Sequence, residues 1–134
     1  MPRVSVVIPL YNKVKYIARA IDSVLNQTFQ DFEIIVVNDG STDGSEKVVE
    51  KYRDKRIKII YRDTPSGDSG ARNIGIKNAS TDLIAFLDAD DEWKNKFLET
   101  ILRLKEKYPF LQLVMFGTKK DKGVPEYAEF YTSP

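Results

Sequence analysis

Apolar positions along the chain change period several times, and each change predicts an element. Val4 to Ile8 is a short β-branched run stopped by Pro9, which suits a buried strand. From Lys13 the spacing becomes helical: Val14, Ile17, Ile21, Val24 and Leu25 share one face, with Asn12 placed as the N-cap. Phe32 to Val37 predicts a second buried strand, ended by the turn-rich run Asn38 to Gly44. Asp43 followed by Glu46 resembles a capping box, and Val48, Val49 and Tyr52 then give a helical face. Ile57 to Tyr61 reads as a third strand, Gly70 to Ala79 as a short helix and Leu83 to Leu87 as a fourth strand. Phe97, Ile101, Leu104 and Tyr108, beside Leu98 and Leu102, mark a longer helix that stops at Pro109, and Leu111 to Phe116 reads as a fifth strand.

Strands alternating with helices imply βαβ units with right-handed crossovers. The expected fold is therefore α/β, a doubly wound and mostly parallel sheet flanked by helices. It should occupy residues 1–117 as one domain, since the pattern dissolves after Gly117 into a Lys-rich stretch and an aromatic segment, residues 118–134, which reads as a C-terminal tail or as the start of an incomplete acceptor-binding region.

Composition narrows the chemistry. Lys and Arg number 21 against 20 for Asp and Glu, a net charge of +1, so the global field gives no reason to expect a nucleic-acid partner. Apolar runs such as Ile34 to Val37 fall far short of the roughly 18 residues of a membrane span. With no signal-peptide pattern either, the chain reads as soluble and cytoplasmic. There is no Cys and no His, so thiolate chemistry, an imidazole base and the usual zinc sites are excluded. Acid and base work falls to Asp, Glu, Lys or Tyr, and a metal held by carboxylates alone should be hard: Mg²⁺, Mn²⁺ or Ca²⁺.

In an open parallel sheet, ligands bind beyond the carboxyl ends of the strands where the strand order reverses. The unusual residues of this chain sit there. Strand one ends in Pro9-Leu10-Tyr11-Asn12, strand two in Asn38-Asp39-Gly40, and strand four in Asp88-Ala89-Asp90-Asp91. With a three-two-one-four order, Asp88 and Asp90 would face the crevice, and Asp39 would lie one strand away. Each feature also has a plain structural reading: a turn at Asn38 to Gly44, a helix cap at Asp90 or Asp91, a solvated Arg72. Capping needs only one carboxylate, however, and a divalent cation with a diphosphate accounts better for the remainder.

Four segments taken together carry a resemblance. VSVVIPLYN (Val4 to Asn12), VVNDGSTDGS (Val36 to Ser45), SGARNIGI (Ser69 to Ile76) and FLDADDEW (Phe86 to Trp93) resemble, in order and separation, the GT-A glycosyltransferases of family 2. The likeness covers nearly all of residues 3–117. It implies a Rossmann-like GT-A fold and transfer of a sugar, with inversion, from a nucleotide-diphosphate sugar to an acceptor hydroxyl with Mn²⁺ or Mg²⁺. By resemblance, Pro9 and Tyr11 line the nucleoside pocket and Asp39 accepts a hydrogen bond from the base, typically uracil. Arg72 stands beside base and phosphates, Asp88 near ribose and metal, and Asp90 ligates the metal that bridges the diphosphate. Asp91 and Glu92 fall at helix-start and solvent positions, with Trp93 beneath the loop.

The implied donor is a UDP-sugar, and the acceptor is an unspecified glycan, lipid or protein. Family members continue into an acceptor-binding half that supplies the general base. Asp121, Glu126 and Glu129 are the only carboxylates after Gly117 and stand in no recognisable base motif, so the catalytic base is unassigned. The alternative reading is a nucleotide-sugar-binding module, or donor half, without turnover of its own. A dinucleotide dehydrogenase is disfavoured because no Gly-rich loop follows strand one.

Overall fold

The computed structural model describes residues 2–63, 65, 67–109, 111–117 and 127–132. They divide into two compact units, residues 1–96 and 97–134. In the first unit, β1 (Val4–Leu10), β2 (Phe32–Asp39), β3 (Ile57–Arg62) and β4 (Ile84–Phe86) form a parallel sheet of order β3-β2-β1-β4, the expected order. Helices α1 (Ile17–Leu25), α2 (Ser45–Glu50) and α3 (Gly67–Asn78) make the crossovers. The first two crossovers step one way along the sheet and the third steps back, so right-handed connections place α3 on the face opposite α1 and α2.

The central strands supply the core. β2 is buried along its whole length, and in β1 only Pro9 is not fully covered. Side chains of β2 alternate between the faces: Ile35 and Val37 pack with Ala71 of α3, and Asp39 shares their parity. α1 turns Ile17, Ala20, Ile21 and Val24 inward.

Four local expectations are corrected. Pro9 does not end β1, which continues to Leu10 in register with Asn38. The amide of Ser5 and the carbonyl of Val7 both bond toward β4, so the nitrogen of Pro9 points the same way, where β4 has already finished at Phe86. A missing N–H therefore costs no ladder bond there. Asn12 is not the cap of α1. The helix begins at Ile17, the carbonyl of Lys13 takes the amides of Tyr16 and Ile17, and Val14 is left exposed. The Asp43–Glu46 capping box is also absent: α2 is preceded by Gly44 at φ 85°, and no side chain caps it. Finally, α3 starts at Gly67, ahead of the expected Gly70.

On the edge of the sheet away from the carboxyl ends, Glu33 is buried and collects the Ser5 hydroxyl at 2.6 Å, the Ser80 amide at 2.7 Å and Lys58 Nζ at 3.1 Å. Burial opposes its charge, but these donors outweigh that effect and hold its carboxyl at about 2. The network ties the starts of β1, β2 and β3 to the loop before β4.

In the second unit, α4 (Phe97–Lys107) ends just before Tyr108 and Pro109, as its pattern predicted. β5 (Leu111–Gly117) is the expected fifth strand, but its partner is β6 (Tyr127–Thr132) in an antiparallel pair rather than the parallel sheet. Of the tail expected at 118–134, residues 118–126 and 133–134 lie outside the described residues. Among the described residues, no helix is long and apolar enough to cross a membrane.

Candidate donor site

The loops leaving β1 and β2 interlock and build one side of the rim. Asn12 adopts φ 49°, a left-handed conformation that Asn tolerates better than most residues. In that pose its amide donates to Ser41 Oγ at 3.0 Å, and its Oδ1 accepts from the Thr42 amide at 2.8 Å. Lys13 donates its amide to Ser45 Oγ at 3.0 Å, and Val14 donates to Asp43 Oδ2 at 3.1 Å. Asp43 Oδ1 accepts from the Ser45 amide at 3.0 Å and from the Ser45 hydroxyl. Desolvation by its neighbours opposes the charge of Asp43, an exposed residue, but the Ser45 hydroxyl and the Val14 and Ser45 amides prevail and keep its carboxyl below the usual range. Most of the turn Asn38 to Gly44 is thus structural, as its plain reading held.

Asp39 differs from that turn. It closes β2, is 3% exposed, and takes the Gly67 amide on Oδ2 at 3.0 Å while Arg62 Nε lies 3.8 Å from Oδ1. Gly40 follows at φ 79°, where a Cβ would stand 3.0 Å from Pro65. Pro9, half-buried, and Tyr11, exposed, occupy the end of β1 on the same rim.

Beyond β4 the chain turns tightly, the Asp91 amide bonding to the Asp88 carbonyl at 3.0 Å. This turn gathers Asp88, Asp90 and Asp91 so that one carboxylate oxygen from each lies within 4.8 Å of the others. Arg72, on α3, donates Nη2 to Asp88 Oδ1 at 3.2 Å and lies over the Phe86 ring at 5.8 Å. Its Nε is buried without a hydrogen-bond partner. Asp91 is not at a helix start, since α4 begins at Phe97; it belongs to the acidic cluster.

Arg72 and Asp88 therefore meet, Asp90 joins Asp88, and Asp39, Pro9 and Tyr11 stand on neighbouring strand ends. Sequence reasoning missed several partners of these residues, Arg62 beside Asp39 among them. Lys13 Nζ lies 3.7 Å from Asp90 Oδ2, Arg19 Nη2 donates to the Asp90 carbonyl at 2.7 Å, and Gly67 holds Asp39. The signal available for Lys13 was its place directly after β1, the strand beside β4. Trp93 donates its amide to Ser23 Oγ at 3.1 Å and lines a groove of about 440 Å³ along α1 with Arg19, Asp22 and Asn26; none of the predicted site residues lines that groove.

Comparison with known proteins decides the family. The profile of glycosyl transferase family 2 matches residues 5–132. The chain belongs to glycosyltransferase family 2. Within the family, an uncharacterized glycosyltransferase of Rickettsia bellii is 46% identical over 110 residues, covering 81% of this chain and 16% of that protein. A Haemophilus influenzae glycosyltransferase is 43% identical over 101 residues, 74% of this chain and 40% of its own length. This family-2 chain thus spans well under half of these relatives.

Among solved structures, S. aureus TarS 1–349 in complex with UDP matches 92% of this chain and 38% of its own, with TM-score 0.80 and 33% identity. The mannosyltransferase PcManGT of Pyrobaculum calidifontis, in complex with GDP-Man and Mn²⁺, matches 69% of this chain and 28% of its own, with TM-score 0.64 and 28% identity. The fold of this family-2 chain is the expected GT-A arrangement.

Proposed function

We propose that this chain is the donor-binding unit of an inverting glycosyltransferase that uses a nucleotide-diphosphate sugar, a UDP-sugar, together with Mn²⁺ or Mg²⁺. The observation that carries the proposal is the convergence of Asp88, Asp90 and Asp91 within 4.8 Å at the end of β4, with Arg72 on Asp88. Oxygen donors alone, with no nitrogen or sulfur among them, suit a hard cation. Asp90, with Asp88 and Asp91 beside it, would hold the ion, which when bound neutralises charge growing on the diphosphate leaving group.

The chain's own residues do the rest of the donor's handling. Asp39, kept in place by the Gly67 amide and Arg62, presents a carboxylate to a base N–H. Pro9 and Tyr11 flank the nucleoside. Arg72, held by Asp88 at 3.2 Å, brings a guanidinium to the phosphate side of the rim. Inversion needs an acceptor hydroxyl deprotonated by a carboxylate on the opposite side of the anomeric carbon. Asp121 and Glu126 lie outside the described residues, and no base is assigned on this chain. The chain spans 16% and 40% of the two curated relatives, and donor binding is the part of the reaction proposed for its residues.

A UDP donor is favoured by the likeness to TarS, which has been solved with UDP and with UDP-GlcNAc. Titration of UDP, GDP and dTDP in the presence of Mn²⁺ tests the assignment. UDP should bind more tightly than GDP, and Asp39→Ala should weaken UDP by about tenfold or more through loss of a charged hydrogen bond. Undiminished UDP affinity in that variant would remove Asp39 from the base pocket.

A further inference from the structure

The ammonium of Lys13 lies 3.7 Å from the carboxylate of Asp90. Its position is built rather than incidental. The Lys13 amide is held by Ser45 Oγ, and its carbonyl takes the amides of Tyr16 and Ile17. The preceding Asn12 is locked in its left-handed pose by Ser41 and Thr42. The whole interlock of the β1 and β2 loops therefore fixes the Lys13 backbone on the rim, while its flexible stem, 42% exposed, leaves the ammonium free to move.

Charge balance says where it moves. Asp88, Asp90 and Asp91 carry the negative charge of the cluster; Arg72 and Lys13 lie against two of those carboxylates, and Arg19 against the Asp90 backbone. A divalent cation entering the cluster repels an ammonium held at the same carboxylate, and the diphosphate that accompanies it is a new anion within a lysine's reach. We infer that Lys13 competes with the cation for Asp90 and passes to the diphosphate of the donor, making it a phosphate-binding residue of this site. The inference rests on the donor-site reading above. It separates the tasks of the cations around the cluster: Arg72 stays with Asp88, Arg19 braces the loop through a backbone carbonyl, and Lys13 exchanges partners.

Lys13→Met keeps the stem and removes the charge. Binding of Mn²⁺ alone, followed through the paramagnetic resonance of the free ion, should tighten by about threefold or more in this variant, because a competing cation is gone. With Mn²⁺ present, UDP affinity measured by calorimetry should fall by about five- to tenfold while uridine affinity stays unchanged, and Lys13→Arg should recover most of the loss. A merely structural lysine would not strengthen one ligand while weakening another. Equal Mn²⁺ and UDP affinities in wild type and Lys13→Met would overturn this inference alone. If the wild-type chain takes up no UDP with Mn²⁺, the donor reading fails, and the phosphate role of Lys13 falls with it.

Discussion

Asp90→Ala is expected to abolish the gain in UDP affinity that Mn²⁺ provides, a loss of about 100-fold or more if the ion contributes several kcal/mol to holding the diphosphate. The reason lies in what remains. Asp88 and Asp91 remain, but Asp88 is shared with Arg72 at 3.2 Å, so the cluster loses one of its three carboxylates and keeps another only in part for a hard cation. Uridine, which has no phosphate, should bind the variant as it binds the wild type, because Asp39 and the end of β1 are untouched. Loss of the Lys13–Asp90 pair should cost the fold little, since it is a partly exposed contact of the kind that contributes at most about 1 kcal/mol. Calorimetric titration of UDP and uridine, each with and without Mn²⁺, checks all of this. A variant that keeps its metal-dependent affinity for UDP would move the cation site elsewhere.

The second large effect concerns the scaffold. Gly75→Ala should cost about 3 kcal/mol of stability and lower Tm by roughly 10 °C. A Cβ on Gly75 would stand 2.2 Å from Val7 Cγ1 and 2.9 Å from Cγ2. Val7 cannot yield, since it is fully buried in β1, bonded between β2 on one side and β4 on the other. α3 must lift off the sheet instead, and α3 carries both the Gly67 amide that holds Asp39 and the guanidinium of Arg72. Nucleotide affinity should therefore fall with stability in this variant, in contrast to Asp90→Ala. A thermal melt unchanged from wild type would mean that the helix has slack the packing does not reveal.

The strands were legible in the sequence because those in the middle of a parallel sheet are covered on both faces and read as unbroken apolar runs; Val4 to Ile8 and Ile34 to Val37 are of this kind. The three-two-one-four order, taken as the condition under which Asp88 and Asp90 would face the crevice, is the order of the sheet. Boundaries were harder. Pro9 looked like a stop because its missing N–H matters only if a neighbour waits for it, and whether β4 reaches that far is a property of the sheet. Asn12 and Asp43 looked like helix caps because both residue types cap helices; in fact they bond to each other's loops across about thirty positions of sequence, which no local pattern records. The same holds for the site. Asp39, Asp88 and Asp90 stood out by type and by place at strand ends. Lys13 and the Gly67 amide did not, since a lysine and a glycine are common on loops and only the packing of α3 and the pose of Asn12 bring them to the acids. β6 was missed because its residues, Tyr127 to Thr132, carry no strict alternation of apolar and polar positions; in the structure they pair with β5.

We propose above all that the strand ends of this chain form a metal-assisted site for a nucleoside diphosphate. Calorimetric titration of UDP into the wild-type chain, first with Mn²⁺ and then with a chelator in excess, tests it most directly. Binding should be saturable with the ion and lose most of its affinity with the chelator. Binding of equal strength under both conditions, or none under either, would contradict it.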